Sequence, residues 1–275
     1  MLSSFENKTV IITGASAGVG AACARTFAAL KARLVLFARG EEALNKIADE
    51  LRPQCEVLTV VMNVASNEDC LALLEQAEST FGAVHVVVNN AGMHSRGDLE
   101  KVPVNDVAAM VDINMRAPLL LSAAVIPYLR RAGEGAIVNV GSLAGRAPLQ
   151  GAATYSATKA GLRAFSYALA DELRDSGISV GVVSPGPIDT GFIMDEIDLV
   201  EDIVFSQPMS SAQQVADGIV EIAAGRQVEV VLPAASAKLT HLSYLFPNLR
   251  RKIRPKLYEQ GRKNKEKYRN RQATK

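Results

Sequence analysis

Seven short and nearly continuous apolar runs recur along the chain: KTVIIT from Lys8, RLVLF from Arg33, EVLTVVM from Glu56, VHVVVN from Val84, GAIVNV from Gly135, ISVGVVS from Ile178 and VEVVLP from Val228. Their apolar residues are consecutive rather than alternating, so strands built from them must be covered on both faces, as in a parallel sheet. The segments between them have helix length and helical periodicity. Strand and helix alternate throughout. The pattern therefore predicts an α/β fold, a doubly wound seven-stranded parallel sheet with helices on both faces in a single domain.

Two regions break this rhythm. From Pro185 to Ser210 the chain reads PGPIDTGFIMDEIDLVEDIVFSQPMS, with proline and glycine at its start and no clean strand. So long a connection in a compact domain is usually functional or disordered. Its apolar members Phe192, Ile193, Met194, Ile197, Leu199, Val200, Ile203, Val204 and Phe205 suit a lid over an apolar ligand, or equally an amphipathic pair of helices packed on the body. The second region follows the last run. There Leu239, Leu242, Leu245, Phe246, Leu249, Ile253 and Leu257 recur at helical intervals among Arg250, Arg251, Lys252, Arg254 and Lys256. Such a stripe suits a helix lying in a membrane interface, or one docked on its own body or on a partner subunit. Pro247 and Pro255 are expected to kink or divide it.

Composition narrows the classes. A chain of 275 residues that is 48% hydrophobic can bury one large core. The apolar runs are too short and interrupted to reach the roughly 18 to 20 residues of a spanning helix, and a strand-like run begins at Lys8 without a leader pattern before it. These features predict a cytoplasmic protein. Cys23, Cys55 and Cys70 are odd in number and lack a CxxC spacing, so they read as reduced packing residues. His85, His94 and His241 lie in different predicted elements without HExxH, and no metal site is expected. The net charge of +1 hides an asymmetry, because from Asn248 onward twelve Lys and Arg stand against only Glu259 and Glu266. A basic tail on an acidic body usually belongs to an interaction or solvated segment. Sparse aromatics there argue against nucleic acid.

The chemistry begins at TGASAGVG, Thr13 to Gly20, between the first predicted strand and the first helix. Gly14, Ser16 and Gly18 spell the GxSxG of a serine nucleophile elbow, while Gly14, Gly18 and Gly20 spell a glycine-rich turn of the Rossmann-like kind. An elbow opens late in a sheet rather than after its first strand. The first strand-to-helix turn instead presents free backbone N–H groups and a helix dipole, which suits a phosphate. Downstream, Ser142 follows the fifth strand, and Tyr155 and Lys159 stand four residues apart on one face of the next helix. An ammonium beside a phenol favours the phenolate, which would let Tyr155 exchange a proton with a substrate oxygen near working pH.

At these residues the sequence resembles the classical short-chain dehydrogenase/reductase family. TGASAGVG matches TGxxxGxG, NNAG at Asn89 to Gly92 matches the family's sheet-stabilising motif, YSATK matches YxxxK and SPGPIDT from Ser184 matches its PG motif. Asn114 falls where the family has a fourth catalytic residue. The resemblance implies catalysis by Tyr155, Lys159, Ser142 and Asn114: the tyrosine as general acid in reduction, the serine on the substrate oxygen, the lysine on the nicotinamide ribose and the tyrosine pKa, and the asparagine behind the lysine in a water relay. It implies a dinucleotide site from Gly14, Ser16, Gly18, Val19, Gly20, Arg39, Asn63, Val64, Asn90, Ala91, Gly92, Tyr155, Lys159, Pro185, Gly186, Ile188 and Thr190. The substrate would meet Ser142, Tyr155 and Phe192.

Where NAD-dependent members usually carry an acid, this chain has Ala38 followed by Arg39, which predicts NADP, with NADPH preferred over NADH. Ala17 lacks the basic residue that some NADP enzymes of the family have, and Asn63 replaces a common adenine-binding aspartate. The expected organisation is a catalytic and cofactor-binding domain over residues 1–237, with its lid at 185–210, and a basic amphipathic extension over 238–275. The expected activity is interconversion of a ketone and a secondary alcohol, as a reductase of an apolar or lipid-like carbonyl such as a 3-oxoacyl or long-chain 3-keto compound. A steroid or small xenobiotic carbonyl, or a non-catalytic NADP sensor, are the alternatives. The extension puts the family's common tetramer in doubt; a homodimer is expected, and the tail offers peripheral membrane contact.

Overall fold

A computed structural model describes residues 2–273. All seven predicted strands form: β1 (Thr9–Thr13), β2 (Arg33–Ala38), β3 (Val57–Val61), β4 (Val86–Asn89), β5 (Gly135–Val140), β6 (Ile178–Pro185) and β7 (Glu229–Leu232). They pair in parallel in the order β3-β2-β1-β4-β5-β6-β7. Chain direction across the sheet reverses between β1 and β4, so a crevice opens at the carboxyl ends of those two strands. That crevice is where the site forms.

The helices are α1 (Gly18–Ala29), α2 (Glu41–Leu51), α3 (Asn67–Phe81), α4 (Val104–Val111), α5 (Ala117–Ala132), α6 (Ala153–Glu172), the short α7 (Gly191–Met194), α8 (Ala212–Ala223), α9 (Ser236–Leu245) and α10 (Pro247–Ala273). Strand side chains alternate between faces. Val10, Ile12, Leu34, Leu36, Val86 and Val88 pack against Phe27, Leu44, Leu51, Ile219 and Ile222 of α1, α2 and α8. Ile11, Val35, Phe37, Val87 and Ile137 pack against Leu73, Leu74, Leu121, Val125 and Leu169 of α3, α5 and α6. Each such fully buried large side chain contributes about 1.5–3 kcal/mol, so the two layers anchor the sheet rigidly beneath the crevice.

One expectation is corrected here. Val104–Ala132 contains an 18-residue window with a mean hydropathy of 1.4, and is long and apolar enough to cross a membrane by length and composition. In the fold it is α4 and α5 joined through a π-helical turn at Asp112–Arg116, and Met110, Asn114, Leu121, Val125 and Leu129 are its buried face. Polar residues within the run, Asp106, Asp112 and Arg116, hid its length in the sequence.

The connection between β6 and α8 also differs from a simple cover. A bridge between Ile188 and Ser210 closes its base, and Ile193, Met194, Ile197, Val200 and Phe205 form a small core of their own with Val204, Met209 and Tyr268. Most of its apolar residues therefore face one another and α10 rather than a ligand. Helix α10 lies along this connection through ions as well as apolar contact. Arg262 and Lys265 pair with Asp202, Arg269 with Asp198 and Arg271 with Asp189, while the Tyr258 hydroxyl donates to Glu201 at 3.0 Å. Of the two prolines, Pro247 separates α9 from α10, whereas Pro255 lies within α10 without ending it.

Candidate active site

The glycine loop is fastened to β4 before any ligand is considered. Thr13 Oγ1 accepts from the backbone N–H groups of Asn90 and Ala91, both at 3.0 Å, and the Asn90 side-chain amide donates to Thr13 O at 2.8 Å and Gly14 O at 3.2 Å. A β-carbon on Gly20 would lie 2.1 Å from Gly14 O, so only glycine lets α1 start so close to β1. Gly20 is buried by this packing and does not line the cavity. At the start of α1, Ala17 supplies no side-chain cap and the first turn holds no acid. Its N–H groups and the helix dipole are thus left for a ligand anion. A narrow loop, an uncapped helix and no blocking side chain together fit the diphosphate of a dinucleotide.

On the opposite wall, a buried polar chain aligns β4, β5 and α6. Asn89 Nδ2 donates to Asn139 Oδ1 at 2.9 Å, and Asn139 Nδ2 donates to Ser166 Oγ at 2.9 Å. Helix α6 brings in Tyr155 and Lys159. A 3-10 turn, Leu143–Gly145, begins after Ser142 and lies so tightly on α6 that a β-carbon on Gly145 would come 2.6 Å from Lys159 O. This approach holds Ser142 beside Tyr155. Lys159 is buried and its ammonium donates to Val140 O at 2.8 Å. The π-helical turn places buried Asn114 behind this group, where Oδ1 accepts from Met93 N and Nδ2 donates to Met93 O, both at 2.8 Å. A π turn inside an α-helix is itself frequent at functional sites.

Burial raises the Tyr155 phenol above its usual value, and a hydrogen bond with Ser142 and the charge of Arg96 oppose that rise. Lys159 is not among the groups shifting it; its ammonium lies 5.8 Å from the tyrosine ring centroid and points to Val140. Burial lowers Lys159 itself to about 8. The expected depression of Tyr155 by its lysine is therefore replaced by a stronger effect of burial.

One cavity of about 560 Å³ joins most of the predicted residues: Gly14, Ser16, Gly18, Val19, Asn90, Ala91, Gly92, Ser142, Tyr155, Lys159, Pro185, Gly186, Ile188, Thr190 and Phe192. Asn114 stands just behind it. Besides Gly20, three predicted cofactor residues lie outside. Arg39 is exposed at the end of β2 and forms no ion pair among the described residues. Asn63 Oδ1 accepts from Ala65 N at 3.0 Å, a turn that engages the oxygen expected to meet adenine. The Val64 side chain is packed into the core, leaving only its backbone to face a ligand. Among the described residues no cluster of three His, Cys, Asp or Glu side chains could hold a metal ion.

Two residues given no role in the sequence stand at the centre of the site. His94 stacks on Tyr155, with ring centroids 4.2 Å apart and planes 12° from parallel. Arg96 Nη1 donates to His94 Nδ1 at 2.8 Å, which places the histidine proton on Nε2, a buried atom without a hydrogen-bond partner. Burial, then the charges of Arg96 and Lys159, lower His94 to about 3, so it stays neutral. Arg96 also pairs with Glu196 at 2.9 Å and donates to Phe192 O at 2.6 Å, tying the 185–210 connection to the ring that packs on the tyrosine. Their place directly after NNAG was the available signal; their distant partners, Tyr155 for His94 and Phe192 and Glu196 for Arg96, were not.

The family model for short chain dehydrogenases matches residues 8–198. The chain belongs to this family. As a short-chain dehydrogenase it is an oxidoreductase acting on CH–OH groups, in a family that uses nicotinamide dinucleotides, binds small-molecule substrates and is typically oligomeric. An uncharacterized oxidoreductase of Staphylococcus epidermidis is 32% identical over 220 residues, 80% of this chain and 92% of that protein. Sulfoacetaldehyde reductase 2 of Chromohalobacter salexigens is 36% identical over 187 residues, 67% of this chain and 74% of its own length. The ketoacyl reductase HetN of Nostoc sp. is 28% identical over 236 residues, 84% and 80% of the two chains. The short-chain dehydrogenase match ends before α8, so β7 and the C-terminal helices lie beyond it.

Proposed function

We propose that this protein is an NADPH-dependent reductase of apolar ketones, with Tyr155 as the proton donor. The observation that carries this reading is the single cavity that brings Ser142, Tyr155 and Lys159 to the glycine loop and continues to Leu143, Leu149, Phe192, Ile253 and Leu257. The bound dinucleotide supplies the hydride. Tyr155 gives its hydroxyl proton to the carbonyl oxygen, Ser142 donates a hydrogen bond to that oxygen, and Lys159 holds the ribose hydroxyls, with Asn114 supporting it from behind. Residues 1–237 form the catalytic and cofactor-binding domain, and 185–210 its lid, held down by Arg96. Although Arg96 lines the cavity, its guanidinium is engaged by Glu196, His94 and Phe192 O. That guanidinium is thus committed to protein groups, and the apolar side chains lining the rest of the cavity favour an apolar or lipid-like carbonyl.

Consumption of NADPH against ketones graded by chain length and ring size tests this reading. Turnover is expected to rise with apolar chain length; the fastest turnover on fused-ring ketones would assign a steroid-like substrate, and none with any ketone would leave a dinucleotide sensor.

The cofactor preference rests on Arg39, exposed beside Ala38 and without an ion pair among the described residues. A guanidinium on a 2′-phosphate contributes about 1.5–3 kcal/mol. Arg39→Ala is therefore expected to weaken NADPH binding roughly tenfold to a hundredfold and leave NADH binding unchanged, measured by nucleotide fluorescence titration. Equal loss for both nucleotides would remove Arg39 from the site. For assembly we propose a homodimer, with exposed Val104 and Val111 on α4 offering an apolar face. We place the protein in the cytoplasm, meeting a membrane through its 238–275 extension.

A further inference from the structure

The C-terminal extension divides into two parts with opposite charge economies. In the second part of α10 most cations are matched: Arg262, Lys265, Arg269 and Arg271 find acids on the 189–202 stretch and Lys263 finds Glu259, leaving exposed Lys267 without an ion pair among the described residues. The first part is different. From Val230 to Tyr258 the chain holds no Asp or Glu, and Lys238, Arg251, Lys252 and Lys256 are exposed without an ion pair among the described residues.

The same elbow carries a dense run of exposed apolar side chains, with Tyr244 68%, Leu245 66%, Phe246 53% and Leu249 52% exposed. Helical spacing sorts its faces. Thr240, Ser243, Arg250, Ile253 and Leu257 line the cavity. Lys238, Leu242 and Leu245 share another face of α9, and Leu249, Lys252 and Lys256 share one of α10. One side of the elbow walls the substrate cavity while the other offers apolar side chains ringed by unpaired cations.

We infer that this α9–α10 elbow docks on the surface of an anionic phospholipid bilayer, with the cavity mouth beside the lipid. Apolar side chains enter the interface and the cations meet the phosphate groups. Charge decides against a second copy as the occupant: a two-fold contact would set the same unpaired cations against each other with no acid between them. The delivery of an apolar substrate from the bilayer rests on the reductase reading, whereas the docking does not.

Vesicle flotation tests the docking, with phosphatidylcholine alone against phosphatidylcholine mixed with phosphatidylglycerol. The full chain is expected to float with the anionic vesicles and detach as salt rises. Each cation near an anionic surface strengthens binding roughly fivefold, so Lys238→Gln/Arg251→Gln/Lys252→Gln/Lys256→Gln should weaken it about a hundredfold or more. Leu245→Glu/Phe246→Glu should do likewise by removing the apolar anchor. Circular dichroism and NADPH binding in solution, both expected to be unchanged, show that the variants fold. Absence of flotation by the wild type, equal binding to neutral vesicles, or full binding by the charge variant overturns the inference. A wild-type dimer that Leu245→Glu/Phe246→Glu converts to monomer, seen by light scattering, also overturns it in favour of a second copy. Flotation is read without any ketone, so a failed reductase assay leaves this result independent.

Discussion

Tyr155→Phe is expected to lower turnover of every ketone by about 10²–10⁴-fold, the range that a positioned proton donor supplies, while the affinity for NADPH stays within about twofold of wild type. The substitution removes one hydroxyl and leaves the ring, so stacking on His94 at 4.2 Å and the neighbouring ammonium of Lys159 are retained. Because the lost interaction belongs to proton transfer, kcat and kcat/KM should fall together with little change in KM. The pH profile supplies a second check. Burial lowers Lys159 to about 8, so the ammonium is present below that pH and lost above it, and wild-type cofactor binding and turnover should decline as pH rises through about 8. Unchanged turnover in the phenylalanine variant would remove Tyr155 from the chemistry; turnover lost in step with NADPH binding would make it a structural residue.

What the sequence disclosed and what it concealed follow from the range of the interactions involved. Parallel strands must be apolar on both faces, so VIIT, VVVN and AIVNV announce themselves without knowledge of their neighbours. The Tyr155 and Lys159 pair is legible for a similar reason, since four residues is a helical spacing. The glycine loop is legible because Gly20 packs on Gly14 O, six residues away. By contrast, Arg96 gains its meaning from Phe192 and Glu196, and His94 from Tyr155. Those contacts depend on how the 185–210 connection folds back. Nor could periodicity say what the stripe in the extension faces, because a helix docked on its own protein and one docked on lipid have the same apolar pattern. In the structure Ile253 and Leu257 turn to the cavity while Leu245 and Leu249 stay exposed.

The largest stability effect is expected at Glu229, a residue without an assigned role in the sequence. It lies on edge strand β7 with its carboxylate almost wholly buried, and it accepts hydrogen bonds from Arg146, from Arg163 at 2.8 and 2.9 Å, from Tyr167 at 2.9 Å and from Ser184 at 2.7 Å. Arg146 follows the turn that holds Ser142 and donates onward to Thr240 Oγ1 at 3.1 Å. This carboxylate therefore joins β6, β7, α6, the turn after Ser142 and the wall formed by α9. Burial alone would push the Glu229 carboxyl up, but hydrogen bonds from Arg163, Arg146, Ser184 and Tyr167 outweigh it and bring it down to about 2. A depressed carboxyl stabilises the fold fully above its unfolded value of about 4.5 and loses that contribution as pH falls toward 2. Glu229→Gln leaves buried Arg146 without its counter-charge, and loss of one partner of a buried pair costs about 3–5 kcal/mol. Chemical denaturation at neutral pH should show that loss. Repeated between pH 5 and 2, the gap between wild type and variant should shrink as the wild-type carboxylate takes up its proton. A gap that stays constant over that interval would show that charge at Glu229 does not hold these elements together.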